Sequence, residues 1–191
     1  MLKKSALNLL FVLIVLTGCS SGEKGVSVNK EPIEDVEEIV INFASTDVNF
    51  LPSEKSELET YLTAYDNGPG VILDKSSERL SIDLGNDIRR LFPSRKKPTL
   101  EVKIPHQFKG EIILDGSSGS VSGKNLVQNN IDVRSSSGNI ELHFKELNGD
   151  VEISTTSGNA SVTFDEEQPN LDLEIGTNSG KQSINLSLSE K

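Results

Sequence analysis

Four kinds of side chain in this sequence could do chemistry: one thiol, two imidazoles, an excess of carboxylates and a tight group of cations. The thiol is Cys19, the only cysteine. A lone cysteine excludes an intrachain disulfide and a zinc cluster, and it leaves a redox nucleophile without a resolving partner. His106 and His143 stand at no metal-ligand spacing from each other or from Cys19. His143 lies between Leu142 and Phe144, so strand alternation turns it outward as a solvated residue. Serines are abundant, but no G-x-S-x-G elbow is present. Among 29 acidic residues, pairs suited to glycan cleavage arise by chance. Glu141, Glu152, Asp165, Glu166, Glu167, Asp172 and Glu174 therefore read as a charged solvent face. The cations Arg89, Arg90, Arg95, Lys96 and Lys97 fall within nine positions around Leu91-Phe92-Pro93. They form either a finger for anionic wall polymer or lipid phosphate, worth about 1 kcal/mol per residue at a membrane surface, or a solvated loop that neutralises an acidic body. The sequence yields no catalytic residue, no metal site and no cofactor motif.

The surroundings of Cys19 give its thiol a use. Lys3 and Lys4 precede an apolar run from Ala6 to Leu16 broken only by Asn8, and Leu16-Thr17-Gly18 leads into Cys19. This is a basic n-region, an h-region and a small-residue cleavage site. The run is too short for a membrane-spanning helix, which needs roughly 20 apolar residues. Leu16 to Cys19 resembles the lipobox of bacterial lipoproteins, which implies a signal peptide over residues 1–18 and acylation of Cys19 by palmitate-like chains. Two chains hold where one, at about 0.8 kcal/mol per buried CH₂, gives only reversible membrane binding. The expected location is the extracytoplasmic face of the cell membrane, or an outer membrane if the host has two. Removing residues 1–18 takes away two lysines and no acid, so the net charge of −10 falls to −12. An acidic chain without a basic face is no nucleic-acid binder.

The elements that position these groups are strands. Residues 19–35 are polar and Gly/Ser-containing and read as a flexible tether after the lipidated cysteine. Residues 36–191 read as one all-β domain, with only Asp87 to Leu91 hinting at a helical period and Asn67-Gly68-Pro69-Gly70 marking a turn. Four segments repeat: LDGSSGSV from Leu114, VRSSSGNI from Val133, ISTTSGNA from Ile153 and IGTNSGKQ from Ile175. Their corner glycines are Gly119, Gly138, Gly158 and Gly180. Apolar residues alternate on both sides, as in Ile131 and Val133 before a corner and Ile140, Leu142 and Phe144 after it. A unit of about 20 residues cannot bury such a face alone, but stacked copies can. The expected fold is a parallel β-solenoid with a Ser-Gly corner per rung, each glycine supplying a positive φ. An antiparallel sandwich built from Ser-Gly hairpins is the competing geometry. Ile39, Ile41 and Phe43, followed by Ser45-Thr46-Asp47 and then Val48 and Phe50, read as a degenerate first rung at the end of the stack. Further strands are expected near 58–64, 80–84 and 100–104. Gln182 breaks the apolar pattern of the last repeat.

Ile41 to Pro52, the strand ending in Ile104-Pro105 and above all the Ser-Ser-Gly-Asn-Ile and Thr-Ser-Gly-Asn-Ala corners resemble the bacterial putative-adhesin domain of unknown function, over most of residues 36–188. The resemblance implies a β-solenoid fold, a surface location and, in some members, genetic association with envelope-stress responses; it implies no ligand. The expected function is a non-enzymatic, lipid-anchored envelope module with an adhesin-like surface for an envelope protein or wall glycan. A regulatory accessory of an envelope-stress system is the alternative, and a polysaccharide-active enzyme the third reading.

Overall fold

A computed structural model describes residues 24–65, 70–84, 97–166 and 169–186. Every regular element within them is a strand, as short β-branched alternations between Ser, Gly, Asn, Asp and Pro clusters imply. One sheet holds β2 (Glu38–Ala44), β5 (Val71–Lys75), β6 (Arg79–Leu84), β8 (Glu111–Gly116), β10 (Asn130–Ser137), β12 (Asn148–Ser157) and β14 (Asn170–Thr177). The other holds β1 (Lys24–Pro32), β3 (Asp47–Ser53), β4 (Glu57–Tyr65), β7 (Thr99–Pro105), β9 (Val121–Leu126), β11 (Ile140–Phe144), β13 (Ala160–Phe164) and β15 (Gln182–Leu186). The spatial orders are β14-β12-β10-β8-β2-β6-β5 and β15-β13-β11-β9-β3-β7-β4-β1.

A short corner carries β2 into β3, β8 into β9, β10 into β11, β12 into β13 and β14 into β15. The resulting pairs stack in parallel. Ile131 lies beside Ile112 on one side and Val151 on the other, and Leu142 lies beside Val162. Antiparallel pairing occurs where β4 joins β1 and β7 and where β5 joins β6. The sheets are therefore mixed, and the antiparallel strands close the end of the stack formed by β6 and β7. The inward faces of both sheets supply one hydrophobic cluster, with Phe144 stacked on Phe164 at 5.6 Å between ring centres.

Two expectations change. The segment around Ile39 to Phe50 is not a terminal rung: β2 sits between β8 and β6, and β3 between β9 and β7. The chain lays this rung down first, adds β4 to β7 on one side, then returns to add β8 and β9 on the other. Its rings fill space that the later repeats fill differently. A Cβ at Gly116 would stand 2.2 Å from the Phe43 ring, and one at Gly123 would stand 2.8 Å from the Phe50 ring. Ser135 and Leu142 occupy the matching positions one rung on. The inserted rung thus explains why the first repeat carries two extra glycines.

The tether expected over 19–35 also changes. Lys24–Pro32 is a strand, paired antiparallel along its whole length with β4. Ile33 and Val36 beyond it are buried. Residues 19–23 lie outside the described residues, as does the lipobox. Val26 and Val28 on β1 are exposed, so backbone pairing rather than burial holds this strand, and composition gives no sign of it. The strands expected near 58–64, 80–84 and 100–104 are β4, β6 and β7. The turn centred on 67–69 and the helical hint at 87–91 lie outside the described residues.

Candidate functional site

The corners are built by the stacking of equivalent backbone groups. Val48 N–H donates to the Ser120 carbonyl at 2.8 Å, Val121 N–H to Asn139 at 2.9 Å, Ile140 N–H to Asn159 at 2.8 Å and Ala160 N–H to Lys181 at 2.9 Å. At three corners a side chain just past the turn adds a bond of the opposite sense, accepting from the backbone of the next rung. Asp47 Oδ1 accepts from Ser120 N–H at 2.9 Å, Asn139 Oδ1 from Asn159 N–H at 3.3 Å, and Asn159 Oδ1 from Lys181 N–H at 3.0 Å. Hydroxyls also take backbone partners: Ser117 Oγ donates to Ala44 O at 3.0 Å and Thr177 Oγ1 to Gly158 O at 3.1 Å.

The four corner glycines share a reason that differs from the one expected. Only Gly138 has a positive φ, at 152°. What all four share is a close approach of backbone. A Cβ would stand 1.9 Å from Thr46 O at Gly119, 2.2 Å from Gly119 O at Gly138, 2.0 Å from Gly138 O at Gly158 and 1.8 Å from Gly158 O at Gly180. Each corner rests its glycine on the carbonyl of the corner before it. The positive φ of the inserted rung's corner falls instead on Ala44, at 49°.

The outer face of the β14-to-β2 sheet carries the main charge feature. Alternation turns Ile131, Val133, Val151 and Ile153 inward, so the residues between them stand on the solvent side. In register, Ile113, Asp132, Glu152 and Glu174 form one row across β8, β10, β12 and β14. Glu111 pairs with Asn130 and Asp150 with Asp172 in a second row. The two rows border an open groove of about 390 Å³. Arg134 contacts Asp132 Oδ2. The Asp132 side chain is only 9% exposed, and its Oδ1 has no hydrogen-bond partner. Burial pushes its carboxyl above the ordinary range, against the opposing pull of Arg134, and the charges of Glu152 and Glu111 push the same way as burial. No ion pair among the described residues engages Asp150, Glu152, Asp172 or Glu174. No three described His, Cys, Asp or Glu side chains gather at one point suited to a metal.

A different carboxylate holds the N-terminal strand. Glu59 on β4 is fully buried; Lys55 Nζ reaches it at 2.8 Å, Lys30 Nζ on β1 at 3.0 Å and Tyr61 Oη at 3.1 Å. The Lys55 and then the Lys30 hydrogen bonds bring its pKa down to about 2. This is a structural clasp between β1 and β4.

Of the residues singled out in the sequence, Leu16, Thr17, Gly18, Cys19, Arg89, Arg90, Arg95 and Lys96 lie outside the described residues; Lys97 is exposed. His143 faces outward, with Nε2 2.8 Å from Asp165 Oδ1, and His106 lies 3.2 Å from Glu54, far from forming a shared centre. Glu152, Asp172 and Glu174 come together on the acidic face, whereas Glu141 and Asp165 stand on the other sheet's strands or their ends. The sequence reading missed Asp132, Asp150 and Glu59. The first two had a signal: an acid stands six residues before Gly138, Gly158 and Gly180, and eight before Gly119, Gly158 and Gly180.

Corner-linked parallel strands stacked in two sheets, with an exposed charged face, define an all-β protein. Residues 112–191 match the family model described as Toastrack DUF4097, and the resemblance drawn from the Ser-Gly corners stands for that part of the chain. Among solved structures, a putative cell adhesion protein from Clostridium sporogenes is similar at 15% identity, with 87% of this chain and 100% of that chain covered and a TM-score of 0.67. A putative adhesin from Bacteroides fragilis is similar at 14% identity, with 86% and 98% covered and a TM-score of 0.38. A putative lipid binding protein from Parabacteroides distasonis is similar at 15% identity, with 87% and 98% covered and a TM-score of 0.30. The first of these shares the fold of this chain. No curated protein matches this chain.

Proposed function

We propose that this chain is a lipid-anchored, non-enzymatic protein of the cell envelope whose two-sheet β-solenoid presents an adhesin-like interaction surface. Acyl chains on Cys19 would confine it to the extracytoplasmic side of the membrane, and the solenoid would hold rows of outer-face side chains at fixed spacing. The observation that carries this reading is the in-register parallel stack from β2 to β14. It places like residues of successive repeats about 4.8 Å apart, which makes a rigid contact surface rather than an enclosed reaction site. The similarity to a putative cell adhesion protein and the Toastrack match support it.

The test is metabolic labelling with an alkyne fatty acid and crosslinking in living cells, using the native chain and Cys19→Ala. Label and membrane fractionation that depend on Cys19, with crosslinks to wall glycan or an outward-facing envelope protein, are the expected result. Unchanged fractionation of Cys19→Ala would remove the anchor from the account. Crosslinks confined to a membrane stress sensor would replace the adhesin-like role by a regulatory one.

A further inference from the structure

The β14 end of the stack has an unsatisfied edge. β14 and β15 are the last strands of their sheets, each paired on one side only among the described residues. The opposite end finishes on the antiparallel strands β1 and β5, which carry exposed Val26, Val28 and Ile72; at the β14 end the parallel stack itself stops, its inward Leu171, Leu173 and Ile175 only half-buried and Ile184 and Leu186 57% and 46% exposed. An open strand edge beside exposed apolar side chains is a template for an added strand.

Charge restricts what can be added. On the solvent side of β14 stand Asp172 and Glu174, directly beside Asp150 and Glu152 of β12. Like charges opposite one another in a sheet are destabilising, and no described cation pairs with these four. A second copy joined through its own β14 would bring two more acids to the same columns, and one joined through β5 would bring Asp74. Neither supplies a cation to this face. A segment of alternating residues does: basic side chains outward beside Asp172 and Glu174, apolar ones inward over Leu173 and Ile175. Alternate side chains of an extended peptide repeat at about 6.8 Å, which is also the spacing of Asp172 and Glu174 along β14. The methylene stems of lysine or arginine lie well on such a surface.

We infer that the β14 edge binds an extended segment of a partner protein in which basic and apolar residues alternate, added as a strand with its basic side chains against Asp172 and Glu174. This rests on the interaction-surface reading and names the surface and the chemistry of its partner.

The test uses the full-length lipoprotein in neutral detergent and a capped peptide alternating lysine and valine, followed by calorimetry at moderate salt. Binding is expected, with at least tenfold weaker binding for a peptide of the same composition written as a lysine block and a valine block. Asp172→Asn with Glu174→Gln should weaken binding at least fivefold. Glu141→Gln with Glu146→Gln removes the same charge elsewhere and should change it less than twofold. Backbone N-methylation of alternate peptide residues should abolish binding. Equal binding of the block peptide, equal loss in the two double variants, or full binding of the N-methylated peptide would each overturn the inference. Matching melting curves keep the variants comparable. A chain that is anchored through Cys19 and crosslinks to the envelope but binds no such peptide overturns this inference alone; one that binds the peptide but lacks the anchor overturns only the envelope reading.

Discussion

Gly158→Ala adds one methyl group at a corner, and the stacked-corner account assigns it a large cost. The new Cβ would stand 2.0 Å from Gly138 O and 3.1 Å from Thr155 Oγ1. An ordinary carbon–oxygen contact is well above 3 Å, so the corner must move by more than 1 Å from the rung beneath it. That motion strains the Ile140 N–H bond to Asn159 O, 2.8 Å, and the Asn159 N–H bond to Asn139 Oδ1, 3.3 Å. Overpacking costs about 1–3 kcal/mol, and each weakened hydrogen bond up to about 1 kcal/mol. The expected loss is about 3 kcal/mol, or a fall in Tm of about 6–12 °C for a domain of this size. Gly25→Ala is the control, since nothing lies within 4 Å of the Cβ it would add; its Tm should hold or rise slightly. Thermal unfolding of the two variants against the parent decides the matter. A Gly158→Ala chain that melts within a degree of the parent would show that the corners do not rest on one another as described.

Three further outcomes follow from the same geometry. Gly116→Ser should destabilise because of the Phe43 ring 2.2 Å from the added Cβ, and Phe43→Leu combined with it should recover part of the loss; additive effects in the double-mutant cycle would contradict the packing argument. The carboxyl of Glu59 is held down to about 2 from 4.5, so its contribution is present above about pH 4.5 and lost as pH falls through about 2. Glu59→Gln should therefore lower stability at neutral pH, and the gap from the parent should close on acidification across that window in a pH series of melts. Asp132 is raised from 3.8, so its ionisation costs stability as pH rises through that value and above it; Asp132→Asn should melt no lower than the parent at pH 7, and a clear drop would mean that the Arg134 contact outweighs burial.

Much of the stack was legible because its signals are local. The alternation of Ile131, Val133, Ile140 and Leu142 around Gly138 is enough to define two strands and a corner, and recurrence of the same offset at Gly158 and Gly180 implies equivalent places in a stack. The order of the rungs was not legible. Nothing in Ile39 to Phe50 says that β8 will return to its far side; that follows from long-range packing of Phe43 and Phe50 against Gly116 and Gly123. β1 was missed because a strand held by backbone bonds and a Lys30–Glu59 clasp needs no apolar pattern. The glycines were found for a reason that holds only at Gly138, since a carbonyl from another rung is invisible in a linear reading. Asp132 and Asp150 were hidden among 29 acids, although their fixed distance from the corner glycines marked them out.

The measurement that bears most directly on the account is the distance between spin labels placed at Glu141 on β11 and Ser183 on β15, in a chain whose single native cysteine is replaced by Cys19→Ala. β11, β13 and β15 are consecutive in their sheet, with Glu141 beside Ser161 and Ser161 beside Ser183. The parallel stack therefore places the two backbone sites about 10 Å apart and should give strong dipolar broadening. Labels more than about 20 Å apart, as sequential antiparallel hairpins would set them, would contradict the stack and the interaction surface proposed for it.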